Sequence, residues 1–295
     1  MIAFVALGLR AAYIVVAKSD GDACGSALCG DAFFYSNQAN CLSLGKGFRR
    51  PFTGGEAADH PPLTAIVAAP ASWFPGDTVT AQRSVMALVG SAAVFMIGVL
   101  GREVAGDRAG WIAAGLAAIY PNLWVNDALV MSESLTALGV AATLWLTYRM
   151  IRRPELPAAA WLGVVLGLTV LVRAELALYL PLVVVPVLWW RTGLERRERV
   201  RAVAVAVGAT AAMLLPWSLY NTARFEEPVT ISTNDGLTLI GANCDAVYSE
   251  EGIGLWSGRC ADQVAATGDQ SQRSAAYRRA AAAYIGDHLH RVPAV

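Results

Sequence analysis

Residues 82–100, QRSVMALVGSAAVFMIGVL, form a run of 19 positions in which Arg83 is the single charged side chain. A helix of that length extends about 28 Å at about 1.5 Å per residue, close to the ~30 Å thickness of bilayer hydrocarbon. The whole chain has the same bias, since 56% of its residues are hydrophobic, 16% are charged and the mean hydropathy is +0.46. Soluble domains carry about 25% charged residues. We therefore predict an integral membrane protein.

Other apolar stretches predict further spans. Residues 158–190 would extend about 50 Å as one helix, so we divide them at Arg173 and Glu175, the charged residues inside the stretch. Residues 63–75 are too short to cross and contain Pro70, which predicts an interfacial or re-entrant segment. The other predicted spans are residues 2–17, 110–125, 133–148 and 202–219. The predicted fold class is an all-α integral membrane protein with about seven transmembrane helices and juxtamembrane helices in an outer loop.

Arginine is concentrated in three loops between the predicted spans. Residues 101–109, 149–155 and 191–201 hold ten arginines, whereas residues 18–62 hold four basic residues. Because short cytoplasmic loops are enriched in Lys and Arg, this asymmetry places the amino terminus in the cytoplasm. The net charge of zero gives no electrostatic case for binding nucleic acid.

The predicted topology divides the chain into two parts. Residues 1–219 would form a transmembrane module with an outer loop at residues 18–81, and residues 220–295 would form an extracytoplasmic segment.

Lys18 and Lys46 are the only lysines. This bias toward arginine suggests a GC-rich, bacterial genome, so the bilayer would be the bacterial cytoplasmic membrane.

The cysteines agree with this topology. Cys24, Cys29 and Cys41 fall in the first outer loop, and Cys244 and Cys260 fall in the extracytoplasmic segment. Disulfides persist in oxidising compartments, so we expect one bridge within each segment, Cys244 to Cys260 and Cys24 to Cys29, with Cys41 free. Unpaired thiols are the alternative, because sequence does not fix connectivity.

Asp31 is the main candidate for chemistry in the outer loop. It opens a stretch in which Tyr35 and Ala39 fall on one apolar stripe, a pattern that predicts a helix lying on the membrane. Asp31 is interpreted either as the helix N-cap or as a general base that takes a proton from an acceptor hydroxyl. Both roles are compatible, because a helix amino terminus favours an ionised carboxylate.

His60 and Arg83 are candidate phosphate contacts. His60 precedes Pro61 and Pro62, which fix the backbone where it re-enters the membrane at headgroup level. It would donate a hydrogen bond to a phosphate, or it is simply solvated there. Arg83, at the outer end of its span, is either a phosphate clamp or an arginine that extends to the interface.

Arg173, Glu175 and Glu133 are charged groups next to apolar spans. Charge inside such a stretch is costly and usually functional, although Arg173 and Glu175 would also pair with each other. Glu133 is interpreted as a second acidic group near Asp31, or as a first-turn carboxylate favoured by the helix dipole. Two histidines in the tail, at positions 288 and 290, do not make a metal site.

Taken together, these motifs resemble the membrane glycosyltransferases of the GT-C class, in the group that contains protein O-mannosyltransferases and the lipid A aminoarabinose transferase. The motifs that carry the resemblance are Asp31 with Tyr35 and Ala39, His60-Pro61-Pro62-Leu63, Arg83-Ser84, Gly101-Arg102, Tyr120-Pro121, Ser132-Glu133, Leu171 to Glu175, and Pro216-Trp217 with Asn221.

The resemblance implies an inverting transfer of a sugar from a polyprenyl-phosphate donor to an extracytoplasmic protein, lipid or cell-envelope acceptor. Asp31 takes the role of the general base, His60, Arg83 and Arg173 contact the donor phosphate, and Tyr35, Glu133 and Glu175 support them. In the aminoarabinose branch a lysine stands where this chain has His60. The resemblance implies no certain cofactor, and no motif indicates a divalent metal ion. Members of the group continue beyond this length, so the chain resembles a truncated member.

Two functions from other classes are the alternatives. Arg173, Glu175 and Glu133 would line a pathway in a membrane transporter or a lipid-binding subunit without catalysis. A non-catalytic assembly partner is the other alternative. A transporter requires polar groups near the midplane of the membrane, and the predicted spans hold almost none there.

Overall fold

The computed structural model describes residues 1–18, 30–51, 53–74, 76–249 and 252–294. Within these ranges every regular element is helical. The chain forms two compact units. The first comprises Met1–Gly55 and Pro61–Leu215, and the second comprises Glu56–His60 and Pro216–Val295.

The first unit contains the apolar helices. In chain order they are α1 Ile2–Ala17, α2 Asp31–Ser43, α3 Leu63–Ala68, a 3-10 turn Ala69–Trp73, α4 Thr78–Ala105, α5 Asp107–Ile119, α6 Pro121–Asp127, α7 Glu133–Arg152, α8 Leu156–Val170, a 3-10 turn Ala174–Leu178, a π turn Leu180–Val184, α9 Val185–Trp190 and α10 Arg196–Thr222, which continues into the second unit.

Two of the described helices, α4 and α10, are long and apolar enough to cross a membrane. Shorter apolar helical segments cover Ile2–Ala17, Leu63–Trp73, Leu156–Val170 and Ala174–Trp190. An all-helical membrane architecture is therefore supported, and the number of seven spans stays a prediction. The long helix α4 begins after Asp77, whose side chain accepts hydrogen bonds from the Val79 and Thr80 amides.

One predicted span is wrong as a single helix. Residues 110–125 were expected to be continuous, but α5 ends at Ile119 and α6 begins at Pro121. Proline has no amide hydrogen and disfavours a helical conformation in the residue before it. Tyr120 is accordingly extended, with φ −68° and ψ 115°.

The break expected at Arg173 is present. The helix α8 ends at Val170, and Arg173 is extended, with φ −143° and ψ 118°, before the 3-10 turn that starts at Ala174. The amide of Leu63, at the start of α3, donates to the Leu171 carbonyl at 3.0 Å. This bond ties the short helix α3 to the broken end of α8.

Small residues allow the apolar helices of the first unit to approach closely, as is common in membrane bundles. A Cβ built at Gly163 of α8 would lie 2.2 Å from the Ala206 carbonyl oxygen of α10. A Cβ at Gly110 of α5 would lie 2.8 Å from the Gly98 carbonyl oxygen of α4. Both contacts require the absence of a side chain.

The second unit is a small helical cluster closed by a disulfide. Its helices after α10 are α11 Asn234–Gly241, α12 Asp245–Tyr248, α13 Arg259–Asp262 and α14 Gln270–Asp287, followed by a 3-10 turn Val292–Ala294. Cys244 and Cys260, the pair expected from the sequence, are joined with Cα atoms 5.8 Å apart. Cys41 is a free thiol in the first unit. The expected Cys24 to Cys29 bridge lies outside the described residues.

Candidate active site

The site in the first unit is built around the phenol of Tyr35. Gly30 occupies the N-cap position of α2 without a side-chain cap, and Asp31 is the first helical residue. The carboxylate of Asp31 therefore lies in the first turn, where the helix dipole favours negative charge. One turn later, Tyr35 points into the protein and is 3% exposed.

Four groups act on this phenol: Asp31 one turn earlier in α2, Ser132 and Glu133 at the start of α7, and Arg173 after α8. Its oxygen shares a hydrogen bond with the Ser132 side chain, and the charges of Asp31, Glu133 and Arg173 act on it. Burial raises the pKa of Tyr35 well above its usual range, and the two carboxylates add to that effect. The bond to Ser132 and the charge of Arg173 act in the opposite direction. The phenol is therefore neutral at physiological pH.

Arg173 connects the two glutamates predicted from the sequence. Its Nε donates to Glu175 at 2.7 Å, and its Nη1 donates to Glu133 at 3.1 Å. Burial lowers the pKa of the Arg173 guanidinium, but the hydrogen bonds and charges of the glutamates outweigh this and raise it. Arg173 is thus a permanent cation, and at 39% exposure it remains accessible to an anion.

Glu133 is a first-turn carboxylate that also contacts the candidate site. It is in the first turn of α7, where the helix dipole favours it, and it also pairs with Arg173. Its Oε2 atom is buried and has no hydrogen-bond partner within the described part of the chain. A buried carboxylate oxygen without a partner is costly, which marks this position as more than a helix start.

The structure therefore brings together five of the seven residues predicted for chemistry: Asp31, Tyr35, Glu133, Arg173 and Glu175. Sequence reasoning missed Ser132 as a member of the site, although it stands directly before Glu133. No group of three or more His, Cys, Asp or Glu side chains within the described ranges is arranged to hold a metal ion.

Arg83 has a structural contact in the same unit. Its side chain is 2% exposed, and its Nη1 donates to the Lys18 carbonyl at 2.7 Å, which ties α4 to the end of α1. The neighbouring Gln82 amide donates to the side chains of Asn40 and Ser72 at 2.9 and 2.8 Å. The phosphate contact of Arg83 stays a prediction.

His60 belongs to the second unit, where its segment is held by long-range bonds. Arg224 donates to the Glu56 carboxylate at 2.8 Å and to the Ala57 carbonyl at 2.7 Å. The Ala58 carbonyl accepts from Thr233 at 2.8 Å.

The guanidinium that holds this segment is itself enclosed by aromatic rings. The Arg224 carbon lies 4.4 Å from the centroid of the Tyr220 ring, 4.8 Å from that of Phe225 and 5.3 Å from that of Trp217. Such stacking restricts the orientation of the guanidinium, so its hydrogen bonds keep one direction. Residues 56–60, including the predicted phosphate contact, are thus anchored.

Comparison with known proteins identifies one family. The model of the dolichyl-phosphate-mannose-protein mannosyltransferase family matches residues 59–223, more than half of the chain. The matched range includes His60, Arg83, Glu133 and Arg173, and it begins after Asp31. No match was found among curated proteins or among solved structures.

Proposed function

Because the chain belongs to the dolichyl-phosphate-mannose-protein mannosyltransferase family, membrane glycosyltransferases of the GT-C type, we propose that it transfers a sugar from a polyprenyl-phosphate donor. The acceptor would be a hydroxyl group on an extracytoplasmic protein, lipid or cell-envelope component. The transfer would invert the anomeric configuration, and Asp31 would act as the general base.

The convergence on Tyr35 is the observation that carries this proposal. Asp31, from the amino end of α2, and Arg173, from the break after α8, act on the same buried phenol. A base and a cation that act at one place are the two groups that such a reaction requires. The acceptor hydroxyl has to lose a proton, and the departing phosphate has to keep a negative charge.

In the proposed step one bond forms at the anomeric carbon and one breaks. The acceptor oxygen forms a bond to the anomeric carbon while Asp31 takes the hydroxyl proton. The bond between that carbon and the phosphate oxygen breaks on the opposite face, and the electron pair leaves with the polyprenyl phosphate. Nε and Nη1 of Arg173 hold Glu175 and Glu133, and we assign Nη2 to the phosphate. A preorganised cation in a water-poor site stabilises this charge by about 3–4 kcal/mol.

His60 and Arg83 are proposed as further contacts to the same phosphate. Within the second unit, the bonds from Arg224 to Glu56 and Ala57 anchor the segment that carries His60. Tyr35, Glu133 and Glu175 are proposed to orient Asp31 and Arg173 rather than to touch the reacting atoms.

Transfer by the full-length protein in lipid nanodiscs tests this function, with polyprenyl-phosphate mannose as the donor probe and a serine- and threonine-containing peptide as the acceptor probe. We expect acceptor-dependent release of polyprenyl phosphate, with an inverted anomeric centre in the product. Arg173→Gln is expected to lower turnover by about 10²-fold. Arg152→Gln, a matched loss of an exposed arginine that stacks on Tyr148, is expected to change nothing. Binding of the donor without any release of polyprenyl phosphate would support a transporter or a lipid-binding subunit instead.

A further inference from the structure

A buried ion pair joins three helices of the first unit beside the candidate active site. Arg10 of α1 and Asp127 at the end of α6 are each 1% exposed, and Nε of Arg10 donates to one oxygen of the Asp127 carboxylate. The hydroxyl of Ser134, in the first turn of α7, donates to the other oxygen. One carboxylate therefore fixes the positions of α1, the end of α6 and the start of α7.

Stability alone does not account for this pair. Apolar residues of similar volume usually stabilise a core at least as well as a buried ion pair does. Nη2 of Arg10 is buried without a hydrogen-bond partner among the residues that the structure describes. The facing helix α4 also accommodates the pair, because a Cβ at Gly90 would lie 2.1 Å from an Asp127 oxygen. Charges kept inside an apolar bundle are usually functional.

The turn between Asp127 and Ser134 is strained and buried. Val130, 1% exposed, has φ +53°, a left-handed conformation that a β-branched residue rarely adopts. Its side chain packs in one cluster with Tyr35 and Met86. Such a conformation persists only where the surroundings over-determine it, and here the carboxylate of Asp127, at one end of the turn, accepts from Ser134 at the other end.

The bond between Ser134 and Asp127 also affects the candidate active site. Ser134 is adjacent to Glu133 and two residues from Ser132, so fixing Ser134 also fixes where those two side chains lie. Ser132 bonds to Tyr35, and Glu133 accepts from Arg173 at 3.1 Å.

We propose that Arg10, Asp127 and Ser134 are positioning residues for the transfer reaction. They set the first turn of α7 so that Ser132 and Glu133 hold the phenol and the guanidinium in place. The inference rests on the proposed function. None of the three residues touches the reacting atoms, so their removal should change the alignment of the site and leave its composition intact.

The first test compares two buried serines in the full-length protein. Ser134→Ala is expected to lower kcat for transfer from polyprenyl-phosphate mannose by about 10- to 10²-fold, with a change in the donor KM below about threefold. Ser134→Thr keeps the hydroxyl and should restore most of the turnover. Ser91→Ala is the matched control, because the Ser91 hydroxyl donates to the Ala87 carbonyl of its own helix. It should leave both parameters at wild-type values.

The second test separates positioning from folding. The double variant Arg10→Met, Asp127→Leu replaces the ion pair by an apolar pair, which retains the fold in comparable cases. Positioning predicts a reduced kcat at wild-type thermal stability. Wild-type kcat in this variant would show that the pair is structural and would overturn the proposal.

The third test requires no turnover. We expect the ¹⁹F resonance of 3-fluorotyrosine introduced at position 35 to shift or broaden in Ser134→Ala and to stay unchanged in Ser91→Ala. An unchanged resonance in Ser134→Ala would refute the positioning role whether or not the protein transfers sugar. If the resonance shifts but the protein transfers no sugar, the turn is coupled to Tyr35 and the proposed function is wrong.

Discussion

Tyr35 reports on the electrostatics of its surroundings. Its phenol is neutral because burial, Asp31 and Glu133 all raise its pKa. Together with the bond to Ser132, this makes the phenol a fixed dipole between a carboxylate and a guanidinium. The residue on which the charges of Asp31, Glu133 and Arg173 all act is therefore an uncharged one.

Tyr35→Phe should destabilise the protein by about 1 kcal/mol at pH 8, because it removes one buried hydrogen bond. Since the native pKa of Tyr35 is raised, the unfolded chain loses its proton first as the pH rises past about 10. Wild-type stability then falls, while the variant has no such contribution. The difference in melting temperature between the two proteins should therefore narrow from pH 8 to pH 10.5. A difference in melting temperature that widens would mean that the pKa of Tyr35 is lower in the native protein than in the unfolded chain.

Most of the site residues could be chosen from the sequence, and so could one of their contacts, the pair of Arg173 with Glu175. The other partners could not. Asp31, Glu133 and Arg173 are conspicuous as charges beside apolar runs. Ser132 and Asp127 have ordinary surroundings in the sequence, and their importance depends on contacts that only folding creates. Arg10 is the one charged residue in residues 2–17, and nothing in the sequence indicates its partner.

At the scale of elements, local chemistry explains both the correct and the incorrect helix boundaries. Charge within an apolar stretch predicts the break at Arg173, whereas the hydrophobic pattern continues across Pro121 and does not reveal the break there. Val130 could not be predicted at all, since a left-handed valine costs about 1–2 kcal/mol and is retained through tertiary contacts.

Two glycine substitutions test how closely the helices pack. Gly163→Ala should lower stability by about 1–3 kcal/mol, because a Cβ there would lie 2.2 Å from the Ala206 carbonyl oxygen and the helices would have to separate. Gly115→Ala, inside α5 with nothing within 4 Å of its Cβ, should raise stability by about 0.5–1 kcal/mol. Thermal unfolding in detergent measures both variants. Equal shifts in the same direction would contradict the packing described for α8 and α10.

At the scale of the whole molecule, each of the two units is made of two separate stretches of the chain. Residues 56–60 belong with the segment that starts at Pro216, because Arg224 and Thr233 bind them. No hydrophobic pattern reveals that association, since it depends on hydrogen bonds between residues far apart in the sequence. The apolar runs do predict the helices of the first unit.

The predicted topology places the loop before α10 in the cytoplasm and the second unit outside. A single cysteine introduced as Arg197→Cys should resist a membrane-impermeant maleimide in intact cells, and one introduced as Arg279→Cys should react. Serine replaces Cys24, Cys29 and Cys41 in the background, and Cys244 and Cys260 stay as the disulfide. Labelling of the cysteine at position 197 from outside would reverse the topology and remove Asp31 from the extracytoplasmic side.

The measurement that tests the central claim most directly is turnover by Asp31→Asn in the full-length protein, alongside expression level and binding of polyprenyl-phosphate mannose. The substitution keeps the size of the side chain and removes a first-turn charge that contributes about 0.3–1 kcal/mol to the helix. Loss of a positioned general base lowers the rate by about 10²- to 10⁴-fold. We expect that loss with normal expression and retained donor binding. Turnover within about threefold of wild type would contradict the role of Asp31, because even weak general-base catalysis exceeds that factor.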